Sequence, residues 1–513
     1  MRRTTPSARL ALTLTTSLTS LALLSACTSS DTTGSAAGSG GGAKGTLTLG
    51  MSQDIQGWDP TNQPTYQGWA AAAVYDTAVR CDADGKPHPA AARSFTFEPG
   101  NTGVTLRLRP GMKFSDGTPF DAAAVKANVE YTQKNAAAAA RFAGWKVTTP
   151  DNLTAVISLT APNPLLTDRV CALRIGSPKY LAAGKTNKAP VGSGPYTLDA
   201  KATTNGSTYS FVKNDAYWGA KDFPYQKLVI KVLTNETAAI NALKTGQIDG
   251  SLITQATYDQ AKSSGLKIWS KKSQVTRLLI TDHLGKKVPA LGNLDVRRAM
   301  NMVFDKDAIA KNLYRGLAEP TAQIFRPGSA AYIDGLKDPY PYDVQAAKAL
   351  MKKAGYANGF TLEIPYLQGQ NLEALMPVIK QQLGLLDIKV KQVTLSGPNA
   401  IGDLLSGKYP VPVWQLGNYA NSEQDIIDYI LSDGIWNVMH QKDAKVDALW
   451  SKILTEDAAQ SAKDQQELNR YVVDQAWFVP MAETSTFYAY SSKISVPAAT
   501  DPSGLHPMLW DFK

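Results

Sequence analysis

Covalent chemistry needs a nucleophile, a base or a metal set, and this chain offers poor material for each. Its four histidines, His88, His283, His440 and His506, stand far apart and outside any ligand motif. His88 lies between Pro87 and Pro89, and His506 precedes Pro507, which reads as loop in both cases. No HExxH, GxSxG, P-loop or CxxC spacing occurs, so no catalytic residue, resident metal or cofactor is expected. Gly192-Ser193-Gly194 leads into an extended segment instead of joining a strand to a helix, so it is a tight turn and not a nucleophile elbow. What abounds is material for holding a solute. The 10 tryptophans and 21 tyrosines offer flat apolar surface at low rotamer cost, while amides and hydroxyls can orient a ligand without fixed charge.

Two segments concentrate this material. The stretch from Met51 to Tyr66 follows an alternating strand and carries Gln53, Asp54, Trp58, Asp59, Asn62, Gln63 and Tyr66, a polar and aromatic loop suited to lining a cleft. The stretch from Val411 reads as a strand that holds Trp414 and ends in a loop with Asn418 and Tyr419. A helix from about Gln424 to Leu431 follows and includes Asp425. The expected ligand-binding set is Gln53, Asp54, Trp58, Tyr66, Trp414, Asn418, Tyr419 and Asp425. Core or interdomain packing is the competing role for Trp414 and Tyr419.

The first residues address a compartment. Arg2, Arg3 and Arg9 give a positive end, Leu10 to Leu24 form an apolar run too short to span a bilayer comfortably, and Leu24-Ser25-Ala26-Cys27 closes it. That quartet resembles a bacterial lipoprotein cleavage box, which implies a lipid on Cys27 and a site on the outer face of the cell membrane. Residues 28–45, rich in Ser, Thr, Gly and Ala, cannot build a core and read as a tether.

Past Leu24 no run approaches eighteen consecutive apolar residues, and the remainder is long enough for two or three domains. The formal net charge is +9, of which Arg2, Arg3 and Arg9 leave with the leader. No basic block interleaves with aromatics, so no nucleic-acid groove is expected. With Cys27 taken by lipid, Cys81 and Cys171 remain. In an exported chain they suggest one disulfide, with two buried free thiols as the alternative.

Extended segments are expected at Thr46–Gly50, Thr105–Arg109, Leu153–Leu159, Lys227–Val232 and Ile388–Val393, and a hairpin joins Tyr196–Leu198 to Tyr209–Val212. Helix starts are read at Asp121, Asn235, Asp295, Asp307 and Asp343, each a plausible N-cap. Strand and helix recur in turn, which argues for an α/β layer architecture.

The order of these segments resembles the family 5 extracytoplasmic solute-binding proteins of ABC importers, the dipeptide- and oligopeptide-binding group with nickel- and sugar-binding relatives. The resemblance rests on Asp59-Pro60, on Tyr75-Asp76-Thr77, and above all on the stretch from Leu106 to Lys126 with its Lys-Phe-Ser-Asp-Gly-Thr-Pro-Phe core. It continues through Val191 to Tyr196, Tyr217-Trp218, Ala242 to Gly246 with Asp249, and Val296-Arg297-Arg298-Ala299-Met300. It implies an α/β, two-lobe periplasmic-binding-protein-like fold, type II and cluster C-like, with an extra domain inserted in lobe one. Lobe one would take 46–74, 186–274 and 481–513, the insertion 75–185 and lobe two 275–480. Cys81 and Cys171 then fall in one domain, which strengthens their pairing.

Many peptide-binding members carry an Asp that pairs with the peptide ammonium where this chain has Asn418. A neutral amide cannot offset a buried cation, so that partner would be Asp54, Glu423 or Asp425, or the solute lacks a free amine. The resemblance thus implies a monomeric, non-enzymatic binding protein that delivers a small solute, first a peptide, to a permease and its ATPase. The alternative is the same role for an oligosaccharide, a blocked or cyclic peptide, or a small metabolite.

Overall fold

A computed structural model describes residues 44–513 apart from 64, 136–138, 185, 187, 369–371, 398, 418 and 497–505. Cys27 and nearly all of the expected tether lie outside the described residues. The first strand, Lys44–Met51, starts two residues inside that tether. Its alternating Leu47 and Leu49 are buried, as the period of two requires.

That strand lies parallel between Tyr225–Val232 and Gly250–Ile253 in a nine-stranded sheet. The spatial order is Tyr196–Leu198, Thr208–Lys213, Tyr225–Val232, Lys44–Met51, Gly250–Ile253, Phe478–Tyr490, Lys267–Leu279 and Val413–Gly417, with Ala318–Pro320 paired against Phe478–Tyr490. The hairpin read from Tyr196 forms, with Tyr196 opposite Lys213. Two 13-residue strands, Lys267–Leu279 and Phe478–Tyr490, run antiparallel from one lobe into the other. Tyr488 packs in the lobe-one core with Leu49, Phe211 and Trp69, whereas Leu278 and Val479 pack in lobe two with Met300 and Ile364. These strands are the hinge of a two-lobe α/β fold.

In lobe two the period of two sends adjacent residues to opposite layers. Leu278 and Val413 face one core with Met300 and Met481, while Leu279 and Trp414 face the other with Ile426, Leu449 and Leu468. A parallel pair, Thr361–Leu367 and Lys389–Leu395, borders the first of these layers.

The inserted domain has its own antiparallel sheet, ordered Ala92–Phe97, Gly103–Leu108, Thr154–Ser158 and Lys146–Asp151. Helix Ala122–Lys134 is capped as expected, Asp121 accepting the Ala124 N–H at 3.0 Å. Ala122, Val125 and Val129 turn one stripe of it onto Leu106 and Ile157. Cys81 and Cys171 form a disulfide with Cα atoms 5.6 Å apart. The turn at Gly192 needs glycine, because a Cβ there would sit 1.9 Å from the Val74 carbonyl oxygen.

Several local readings shift. The helix expected from Asp295 is Leu294–Met302, capped by Asn293, and Asp295 instead pairs with Lys353 at 2.8 Å. The helix expected from Asp307 is capped by Asp305 and passes at Ile309–Leu313 into a π-helical turn. In both places two good caps stand two residues apart, and the earlier one is used. The helix expected from about Gln424 is Ser422–Tyr429 and takes Asn421 as its cap. No described helix is long and apolar enough to cross a membrane.

Candidate functional site

From lobe one, the loop after Met51 is held by Gln67, which is fully buried. Its side chain accepts the Gln56 N–H at 3.0 Å and donates to the Gly57 carbonyl at 2.7 Å. Gln53 and Asp54 are exposed at the loop's start. Asp54 accepts the Tyr209 hydroxyl at 2.6 Å, so its carboxylate leans toward the Thr208–Lys213 strand. Trp58 is only 4% exposed, its ring edge-on to Tyr209 and Phe211 at 6.2 Å each, and its carbonyl accepts from the Tyr75 hydroxyl. The structure gives this ring to the lobe-one core. Tyr66 keeps a buried hydroxyl with no hydrogen-bond partner among the described residues, and burial followed by the Asp54 charge raises its pKa.

From lobe two, Trp414 stands opposite Arg277 on the hinge strand and packs against Trp436 at 4.8 Å. It is 8% exposed, and its indole N–H has no partner among the described residues. Arg277 is fully buried, with its guanidinium 4.4 Å over the Tyr429 ring. Asp425 is equally buried in the first turn of Ser422–Tyr429, where a helix N-terminus favours a carboxylate. Burial pushes the Asp425 carboxyl up and the Arg277 guanidinium down, and the attraction between the two opposes both shifts. Tyr419 is 42% exposed, and its phenol is raised by burial and by the charge of Asp428. Asn418 lies outside the described residues.

Lobe two meets the inserted domain through side chains that the sequence did not single out. Arg169 donates to Gln424 Oε1 at 2.6 Å, and Asn421 donates to Asp168 Oδ2 at 2.7 Å and to the Pro164 carbonyl at 3.3 Å. Arg326 donates to the Ala83 carbonyl at 2.8 Å, as does Lys271 from the end of lobe one at 3.3 Å. The two halves of these pairs stand up to 257 positions apart, and polar side chains on short helices carry no local signal of such a role. The lobe-two partners do crowd the segment already marked by Trp414 and Tyr419. The lobe-one loop instead turns Trp58 and Asp54 back onto its own sheet.

A separate cavity of about 380 Å³ in lobe two is lined by Lys306, Asp338, Tyr332 and Tyr342, and shares no residue with the Trp414 set. Its buried charge, Lys306, is already paired with Asp338 at 2.6 Å. Among the described residues no group of three or more His, Cys, Asp or Glu could hold a metal ion. The stretch from Trp414 to Tyr429 thus joins aromatic rings, the buried Arg277 and Asp425, and the polar bonds of Asn421 and Gln424 to the inserted domain.

The family model for the middle part of the bacterial extracellular solute-binding proteins, family 5, matches residues 86–437. The Escherichia coli K12 glutathione-binding protein GsiB is 28% identical over 338 residues, covering 63% of this chain and 64% of that protein. The chain thus spans about 64% of the length of the curated relatives it matches. Among solved structures, Helicobacter pylori DppA in complex with the peptide STSA superposes with a TM-score of 0.75 at 22% identity, covering 92% of this chain and 98% of that one. AgaA from Agrobacterium tumefaciens R10, in complex with agropinic acid, superposes at 0.77 and 24% identity, covering 91% and 98%. These structural likenesses establish the two-lobe binding-protein fold. The chain belongs to the bacterial extracellular solute-binding proteins of family 5.

Proposed function

We propose that this protein is a lipid-anchored extracytoplasmic receptor that captures a peptide between its lobes and delivers it to an ABC import permease. The observation that carries the reading is the pair of bonds Asn421 to Asp168 and Arg169 to Gln424, made by the same short helix that buries Asp425 beside Arg277. Bonds of this kind form only when lobe two approaches the inserted domain, so a solute that fills the cleft favours the closed form, and the permease and its ATPase can read that form. The domains of this reading are lobe one from 46–74, 186–274 and 481–513, the insertion 75–185 and lobe two 275–480. The ligand would be held from Trp414, Asn418, Tyr419 and Asp425 on one side and from Gln53, Asp54 and Tyr66 on the other, Trp58 being taken up by the lobe-one core. Cys27 would carry the lipid, with residues 28–45 as the tether.

The peptide assignment is supported by a relative named for glutathione, a short peptide, and by the peptide in the DppA complex. A second reading, a non-peptide polar solute, is favoured by the neutral Asn418 and by agropinic acid in the AgaA complex. Native mass spectrometry of the protein isolated without denaturation from its producing cells separates them by the retained mass. Calorimetric titration of the parent and Asn418→Asp with matched free-amine and N-acetylated peptides locates the ammonium. A gain for free amines alone supports an ammonium beside position 418, and equal effects on both peptides exclude it. Incorporation of a fatty-acid analogue that disappears in Cys27→Ala tests the anchor.

A further inference from the structure

The disulfide lies at the root of both segments by which the inserted domain touches lobe two. Strand Val79–Cys81 leads directly into Ala83, whose carbonyl accepts from Arg326 of lobe two, and into Gly85, where an added Cβ would lie 3.4 Å from Ala420. Helix Leu166–Ala172 ends around Cys171 and carries Asp168 and Arg169 three and two positions before it. Cys81 and Cys171 are 90 positions apart in sequence, and their bridge places the loop and the helix side by side as one contact surface.

Leu166 and Val170 root that helix in the inserted-domain core, and the bridge ties its last turn. It has only seven residues and no side-chain N-cap, and helices this short are marginal without tertiary support. The four-stranded sheet of the inserted domain is different. Leu106, Ile157, Val125 and Phe120 fill its core, which Leu166 and Val170 of the helix share and against which Cys171 packs only at the margin. The opposite surface is firmly seated, since Asn421 and Gln424 sit on a helix whose Tyr429 packs under Arg277 of the hinge strand. Asp168 and Arg169 are half-buried, so their bonds to Asn421 and Gln424 are sensitive to small displacements of the helix.

We infer that the Cys81–Cys171 disulfide braces a jaw, positioning Ala83, Asp168 and Arg169 for contact with lobe two while the inserted-domain sheet holds its fold without it. The inference rests on closure of the two lobes and is independent of whether the solute is a peptide.

Hydrogen-exchange mass spectrometry on the full chain, with no added solute, tests it. The forms compared are the parent, the parent reduced by a phosphine, Cys81→Ala/Cys171→Ala, Arg169→Gln with the bridge intact, and the combination. Without the bridge, amides of 82–85, 164–169 and 421–424 are expected to exchange about tenfold faster or more, while 103–108 and 154–158 keep their protection. Arg169→Gln should loosen 421–424 but not 82–85, and adding it to the bridge-free form should change 421–424 little further, because both remove the same contact. Unchanged protection at 421–424 on losing the bridge, in either the reduced or the substituted form, overturns the inference. So do equal losses at 103–108 and 154–158, which would make the bridge a staple of the whole domain, and so does a parent in which 421–424 is unprotected. None of these outcomes bears on solute class, which the retained mass decides separately.

Discussion

Asn421 binds in two directions at once. Its side-chain nitrogen donates to Asp168 across the interlobe surface at 2.7 Å, and its side-chain oxygen accepts the Glu423 N–H at 2.9 Å, capping its own helix. Replacing it with alanine therefore removes a cap worth about 1 kcal/mol as well as the cross-domain bond. Asn421→Ala should lower the thermal midpoint modestly and weaken affinity for the solute retained by the parent. Asn421→Asp should restore the cap but set a second carboxylate against Asp168, whose carboxyl burial already raises. Its affinity deficit should shrink on mild acidification, as calorimetry at two pH values would reveal.

The two tryptophans read from the sequence as ligand contacts should behave differently. Trp58→Ala empties part of the lobe-one core and should cost about 3–5 kcal/mol of stability, measured by denaturant titration. Trp414→Phe keeps an aromatic ring against Trp436 and removes only an N–H that has no partner among the described residues. A stability loss below about 1.5 kcal/mol together with weaker solute binding would place that N–H on the solute. Unchanged binding would assign Trp414 to packing alone.

His283 stacks on Trp477 at 4.2 Å and is held to a pKa of about 4 by burial and by Arg297, with Asp443 and Asp282 opposing. A histidine whose folded pKa lies below its unfolded value of 6.5 takes up a proton on unfolding. Its contribution to stability is present above pH 6.5 and is lost as pH falls toward 4, on the order of 3 kcal/mol over the whole window. His283→Phe should flatten the fall in stability across that window, measured by urea midpoints at several pH values. An unchanged slope would show that other groups set it.

Glycine substitutions should separate close approach from helix propensity. Gly192→Ala would press a Cβ to 1.9 Å from the Val74 carbonyl oxygen and should fold poorly or not at all. Gly402→Ala, on an exposed helical position with no atom within 4 Å of the added Cβ, should stabilise by up to about 1 kcal/mol. Differential scanning calorimetry of both variants would measure the contrast.

What the sequence determined by itself was set by short-range physics and by an ordered pattern of segments. Alternation in Lys44–Met51 and the Asp121 and Asn235 caps depend on neighbours a few residues away. The disulfide was legible because Cys81 and Cys171, in a chain read as exported, have few other expected uses. Tertiary structure decided what depends on residues far apart. Asn293 rather than Asp295 caps its helix, and Asp295 pairs with Lys353. Trp58, an apparent loop aromatic, sinks into the core because Tyr209 and Phe211 wait on a strand some 150 positions away. The pairs Arg169–Gln424 and Asn421–Asp168 join positions 255 and 253 apart. A polar side chain on a short helix carries the same local signal whether it faces water or another lobe, and only the fold brings its partner within hydrogen-bond distance.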